Sequence, residues 1–302
     1  MTDQKSWHSR EILPGGGRPL SGQGVHSLLI QISSTAGLIY AISVMSAGSF
    51  TPADLILLVI MSSVTGLGIT VGYHRYLAHQ SFATGRVTGL LLIIAGAMAG
   101  QGPPVYWVAL HRRHHQHSDK DGDPHSPRIT PGRSRLTALW HSWLGWTFTA
   151  PVPNSAHYCR DLLRDPMLMA VNRHNLKILL AGIFLLPAGI LLAGGDAAAA
   201  IHALVFGGLF RIWLTNNVIL MTITTAAHVL GTRRFRTGDD SRNISLLAPF
   251  TLGESLHNNH HAFPRAAIFQ ARWWEIDPGG LFIRLLGSLR LAKSYRSVRD
   301  SS

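Results

Sequence analysis

The chain has little charge and almost no cysteine. Asp, Glu, Lys and Arg make up 14% of its 302 residues, where a soluble domain carries about 25%. A single cysteine, Cys159, excludes an intrachain disulfide and a cysteine-held zinc finger. Positive charge is missing in two long tracts: no Lys or Arg occurs between Arg18 and Arg75, or between Lys177 and Arg211. Each tract holds one acid, Asp54 and Asp196. Such stretches have the composition of membrane spans. All 27 Lys and Arg lie outside these two tracts, giving a net charge of +12. That distribution follows the positive-inside rule rather than a nucleic-acid-binding surface, so no nucleic-acid partner is expected. No apolar stretch precedes the first tract, so no cleavable signal is expected. The "GGGRPLSGQG" at 15–24 follows no strand pattern and lacks nucleotide-loop spacing, and residues 1–25 read as a flexible tail.

Four apolar runs are long enough to cross a bilayer as helices, at 27–47, 53–73, 177–195 and 197–217. "SAGSFTPAD" joins the first pair and "GGD" the second. These hairpin turns carry no basic residue and belong outside, which places both termini and everything else in the cytoplasm. A fifth run, Leu90–Gly100, is too short to cross comfortably and is expected to dip in and return. The fourth run keeps helical character as far as His228. Near the end, "LFIRLLGSLRL" reads either as a helix on the membrane surface or as an amphipathic helix packed on the domain. Trp273 and Trp274 fit the membrane interface or the core. The expected fold is an all-α membrane protein. Four transmembrane helices form two hairpins, and a cytoplasmic helical cap holds a histidine-rich dimetal site. The membrane domain is expected over 26–292, with a short tail over 293–302.

What the chain does have is histidine, seventeen in all. "HRYLAH" begins at His74, "HRRHH" at His111 and "HNNHH" at His257. Residues at i, i+3 and i+4 share a helix face, so His111, His114 and His115 converge, as do His257, His260 and His261. Neutral imidazole is a common ligand for iron, zinc and copper, and two such triplets can build a site for two metal ions if the fold joins them. His74 and His79 lie about 140° apart on an ideal helix. They meet one metal only if the helix loosens between them. One HxxHH alone is as often a basic surface patch; two of them plus HxxxxH, each beside an apolar segment, point to metal. There is no HExxH of a zinc peptidase, haem needs far fewer ligands, and "DKDGD" at 119–123 lacks the glycine position and closing Glu of a calcium loop.

The three boxes in this order around two membrane hairpins resemble the integral-membrane fatty-acid desaturases, and within them the Δ9 acyl-CoA and acyl-lipid branch. The resemblance runs from about 55 to 290 and includes "WVALHRRHHQHSDKDGDPHSP", "HSWLGW" and "GESLHNNHHAFP". It implies two iron ions at the cytoplasmic membrane face, O2 as co-substrate, and a cis double bond placed in a saturated acyl chain, at Δ9. It adds a ligand at the end of the last span, where "TTAAH" gives His228. The implied ligand set is His74, His79, His111, His114, His115, His228, His257, His260 and His261. The family's asparagine, which acts through water on one iron, is Thr224 here. Ala109-Leu110 replaces the Arg-Asp of animal acyl-CoA members, which removes polar contacts to a CoA headgroup.

The chemistry agrees with this resemblance. An unactivated methylene offers no acidic proton and no leaving group, so activated oxygen on a metal must carry the hard step. Tyr106, Trp107, Trp146, Asn216 and Asn217 are candidates to line the acyl path. The expected partners are a fatty acyl substrate (acyl-CoA or acyl-lipid), membrane lipid and a separate electron donor. That donor is a ferredoxin or a small cytochrome with its reductase, because the chain has no flavin fingerprint, cysteine cluster or fused cytochrome. The alternatives are a diiron fatty-acyl or lipid hydroxylase on the same scaffold and a membrane metal transporter. A transporter would place its ligands near the bilayer midplane rather than at the span ends.

Overall fold

The computed structural model describes residues 10–13, 22–128, 134–219 and 222–301. The parts of the expected N-terminal tail at 1–9 and 14–21 lie outside them. Four helices are long and apolar enough to cross a membrane: Gly22–Ser46, Pro52–Ala78, Asn175–Leu192 and Ala197–Val229. The sequence places all four within a few residues at their starts. It ends the second too early, because that helix runs past the apolar stretch into the histidine site, while the helical continuation of the fourth as far as His228 is as expected.

Helix α1 (Gly22–Ser46) turns into α2 (Pro52–Leu67) through a strong start signal. Thr51 caps the helix, Asp54 closes a capping box and Pro52 stands at its first position. Helix α3 (Arg86–Ala97) follows and α4 (Pro104–His117) carries the first HxxHH. Helix α5 (Asn175–Leu192) pairs with α6 (Ala197–Leu204), which Asp196 caps, and α6 continues through π-helical turns toward His228. The His202 ring lies 3.0 Å from the Asp54 carboxylate, so both hairpin turns sit at the same end of the bundle. Leu28, Leu29, Ile32 and Ile39 of α1, Leu55, Ile56 and Val59 of α2, and Phe184 and Leu185 of α5 point outward. An exposed apolar girdle around long helices is what a lipid environment solvates.

Helix α3 is twelve residues long, about 18 Å at 1.5 Å per residue, well short of a hydrocarbon core. It packs against the π-helical continuation of α2, Gly68–Ala78. A Cβ on Gly68 would fall 2.1 Å from the Gly96 nitrogen, so the two backbones touch where neither residue has a side chain. With α3 folded back, the histidines on either side of it stay at one end of the bundle, as the dipping reading requires.

The remaining segments gather at that end. Helix α7 (His257–Ala262) carries the second HxxHH, and α8 (Pro278–Ser288) buries Ile283 and Leu286 against the bundle while Leu281 and Leu285 face outward. Helix α8 is therefore both packed and apolar on its outer side. Trp273 and Trp274 are 80% and 50% exposed, which removes the core reading for them. A short antiparallel ribbon, β1 (Ala83–Thr84) with β2 (Ala292–Lys293), ties the chain's end to the loop after α2. Within the expected tail, Arg10–Leu13 is held against 152–154: Leu13 N donates to Val152 O, Asn154 N donates to Glu11 O, and the Glu11 carboxylate lies 2.9 Å from the His117 ring.

Candidate metal centre

The helix carrying "HRYLAH" does loosen. Gly68–Ala78 is π-helical, and the His79 amide donates to the His74 carbonyl at 3.1 Å, an i→i+5 bond. Such a turn sets residue i+5 nearly above residue i. The two rings, 140° apart on an ideal helix, stand 4.8 Å apart between centroids. Further π turns at Leu214–Ile219 and Thr222–Ala226 lead into the short helix with His228.

The nine histidines come together as two sets. Nitrogens of His74, His79, His111, His115 and His260 all lie within 4.8 Å of one another, and so do those of His114, His228, His257 and His261. Each HxxHH triplet was expected to converge on one region, but each straddles both sets. His111 and His115, at i and i+4, serve the first set, and His114 between them turns to the second. His257 and His261 serve the second, and His260 crosses to the first. Four residues are nearer a whole turn than three, so i and i+4 align while i+3 diverges. The His260 Nε2 lies 3.0 Å from that of His74 and 2.9 Å from that of His115.

Carboxylates stand behind four of these rings. The Nδ1 of His74 lies 2.6 Å from Glu254, that of His114 3.0 Å from Asp123, that of His228 2.8 Å from Asp119 and that of His261 2.6 Å from Asp239. A carboxylate on Nδ1 holds the proton there and turns the Nε2 lone pair inward, as partners of metal-bound histidine do. The inward Nε2 atoms of His114 and His261 are buried with no partner. Lone pairs crowded at hydrogen-bond distance, backed by fixed protons, need a cation between them, and this donor set fits metal ions.

The acidity of the site favours the same state. Burial, then the neighbouring imidazoles, push His79, His111, His115, His257 and His260 well below the usual histidine range. His261 is lowered by burial to about 4, against the pull of Asp239. These rings stay neutral, the form that binds metal. Burial alone would raise Asp119, but the hydrogen bond and charge of His228 prevail and bring it down to about 2. Asp123 and Asp239 are likewise held low, by His114 and His261 against burial. The residues of "DKDGD", rejected as a calcium loop, thus supply two carboxylates of the site. Replacing Asp119 by Asn is expected to lower metal affinity about 10–100-fold, measured by chelator competition, with little change in the helical circular-dichroism signal.

A buried arginine braces the first set. Arg75 is fully buried, donates to Asp277 at 2.9 and 3.1 Å and to Glu254 at 3.2 Å, and lies 3.9 Å over the Phe269 ring. Glu254 therefore joins Arg75 to His74. Nothing in the sequence pattern marks Arg75, Glu254 or Asp277 beyond their being charges next to a histidine box or a glycine pair.

An apolar cavity ends on the metal-facing rings. Ile69, Leu110, Ile219, Ile223 and Leu252 line it, with His74, His111, His114 and His257 at one wall. Of the residues expected on the acyl path, Trp107 and Trp146 line this cavity, and Thr224 lines it beside His257. Tyr106 and Asn216 line a second, adjoining cavity. Asn217 lines neither: its side chain donates to Trp213 O, and its carbonyl accepts from Trp143. His125 was not singled out by sequence. It lines the first cavity, stacks on His114 with 4.2 Å between centroids, and with Asp123 and His114 makes a third close group that backs the second set.

Spanning helices that deliver two histidine sets to the end of an apolar cavity define a membrane-bound oxidoreductase acting on lipid chains. The family model described as fatty acid desaturase matches residues 51–278. The chain is 38% identical to a hex-5-enoyl-[acyl-carrier protein] acetylenase of Moorena producens, over 89% of this chain and 85% of the relative. It is 34% identical to the sn-1 stearoyl-lipid 9-desaturase of Anabaena variabilis, covering 76% and 79%. It is also 34% identical to Delta-9 acyl-lipid desaturase 1 of Arabidopsis thaliana, covering 84% and 78%. The chain belongs to the fatty acid desaturase family, and it is an enzyme of fatty acyl desaturation.

Proposed function

We propose that the chain inserts a cis double bond, at Δ9, into a saturated fatty acyl chain, using O2 and a centre of two iron ions. The observation that carries this reading is the junction of an apolar cavity with nine imidazoles gathered in two sets. The Δ9 position is supported by the names of the acyl-lipid relatives. All nine histidines act as ligands, and Thr224, which lines the cavity, holds a water at the second set. When bound, the iron ions supply the activation of O2 that a bare methylene requires.

The chain's own residues do the rest. The apolar wall of Ile69, Leu110, Ile223 and Leu252 takes the acyl chain out of the lipid and excludes water. The close π-helical turn of His74 and His79 fixes one side of the site against which the chain lies. Glu254, Asp119, Asp123 and Asp239 hold protons on Nδ1, which fixes the tautomer and orientation of four of the rings.

In balance, two hydrogens leave the chain, O2 takes them with two electrons and two protons from outside, and two waters form. The electrons come from a separate one-electron donor, a ferredoxin or small cytochrome. A polar recess lined by His115, His261, Lys120 and Arg236 supports this, since its two cations suit an acidic donor. The histidine site and both termini face the cytoplasm in this reading, which the excess of Lys and Arg beyond the span ends supports. Expression in a host of known lipid profile tests the reading. New monounsaturated chains with the double bond at Δ9 by mass spectrometry are expected; hydroxylated chains, or none, would overturn it.

A further inference from the structure

We infer that the second cavity receives the carboxyl end of the substrate and selects a carrier whose first groups are uncharged hydrogen-bond donors, either hydroxyls or amide N–H groups. This rests on the acyl-chain reading of the first cavity. The two cavities are continuous: Gln101, Trp107, Leu110 and Trp146 line both. A chain that lies with its reacting carbons at the histidines therefore leads its carboxyl end through this gate into the second cavity.

The polar atoms of this second cavity are unpaired in a consistent way. Gln23 Oε1, Asn175 Oδ1, Asn216 Oδ1 and Trp146 Nε1 are all buried, have no hydrogen-bond partner, and belong to residues that line it. Asn175, Asn216 and Trp146 are 5%, 7% and 7% exposed, so bulk water does not serve them freely. The Gln23 amide is oriented by its own bond, Nε2 donating to Thr147 O at 3.0 Å, which leaves the oxygen as the free end. Buried oxygens left without donors are costly. Three acceptors and one N–H donor together ask for a ligand with several donors and one carbonyl.

Charge sharpens the choice. Among the described residues, Arg173 is the one Lys, Arg, Asp or Glu that lines the cavity. Phosphate oxygens placed inside would face the three amide oxygens lone pair to lone pair. A phosphate of the carrier stays at the lip, and the uncharged part enters. The cavity is lined by the starts of α1 and α5, beside the outward-facing Leu28, Leu29 and Leu176. Two carriers offer the required donors: a lipid with sugar or glycerol hydroxyls near its ester, and a pantetheine arm with amide N–H groups near its thioester.

The test uses the metal-loaded full chain in nanodiscs and displacement of a fluorescent fatty-acyl probe by octadecyl β-glucoside, S-octadecyl pantetheine and octadecyl phosphocholine. At least one of the first two is expected to bind about tenfold or more tightly than phosphocholine, which has no donor. In a Gln23→Leu/Asn175→Leu variant that advantage is expected to fall to about threefold or less, with phosphocholine affinity unchanged as the control for folding. Whichever donor-bearing head wins names the source. Phosphocholine binding as tightly as both, or an advantage that survives in the variant, would overturn the inference; the wild-type ranking alone decides it if the variant does not fold. Binding needs no turnover, so absence of an unsaturated product would overturn the reaction and leave the head-group selection standing.

Discussion

Replacing His260 with alanine is expected to abolish product and to lower bound metal from about two ions per chain to about one or fewer. His260 sits at the centre of the first set, with its Nε2 within 3.0 Å of those of both His74 and His115. Removing it leaves four nitrogens that no longer close around one point. It also frees His74, whose Nδ1 stays tied to Glu254, to swing toward the empty space. The second set, His114, His228, His257 and His261, keeps all its carboxylate partners and its capacity for one ion. Metal analysis of the purified variant beside lipid profiling of its host measures both effects. A variant that kept both ions and full product would show that His260 is no ligand.

The largest stability effect is expected at Arg75. An Arg75→Met change keeps much of the side-chain volume but leaves Asp277 and Glu254 buried, 1% and 6% exposed, without their cation. Breaking such a pair from one side costs about 3–5 kcal/mol, read as a lowered midpoint in denaturant melts of the detergent-solubilised protein. Catalysis is expected to fall as well, because Glu254 is the acid that orients His74. An Asp277→Asn variant retains the arginine and one oxygen acceptor, and is expected to lose less.

The sequence makes the spans and the histidines legible for a physical reason. Charge-free runs of about 20 residues are the signature of a bilayer, and HxxHH records the pitch of a helix on which rings must share a face. Four of the boundaries follow from composition alone. The partition of each box between the two sets does not, because it depends on where α4 and α7 lie relative to each other, and i+3 can turn either way until they are packed. The π turn at Gly68–Ala78 is equally hidden, since nothing local distinguishes "GITVGYHRYLA" from an α-helix. It follows from the close backbone contact of Gly68 with Gly96 and from the pull of Arg75 and His74 on residues almost two hundred positions away. The acids Asp119, Asp123, Asp239 and Glu254 look like ordinary surface charge in sequence, and only tertiary contact reveals what they face. Asn217 shows the reverse case: the side chain of an apparently polar wall residue of the tunnel donates to the Trp213 carbonyl instead, and its backbone carbonyl accepts from Trp143.

The most direct test is the iron content of the intact chain, purified without added metal and assayed for desaturation in the same preparation. About two irons per chain, rising and falling in step with activity on chelation and reloading, is the expected result. Full desaturase activity in a preparation with no iron, or with a different metal filling both sets, would contradict a dinuclear iron centre built from these nine imidazoles.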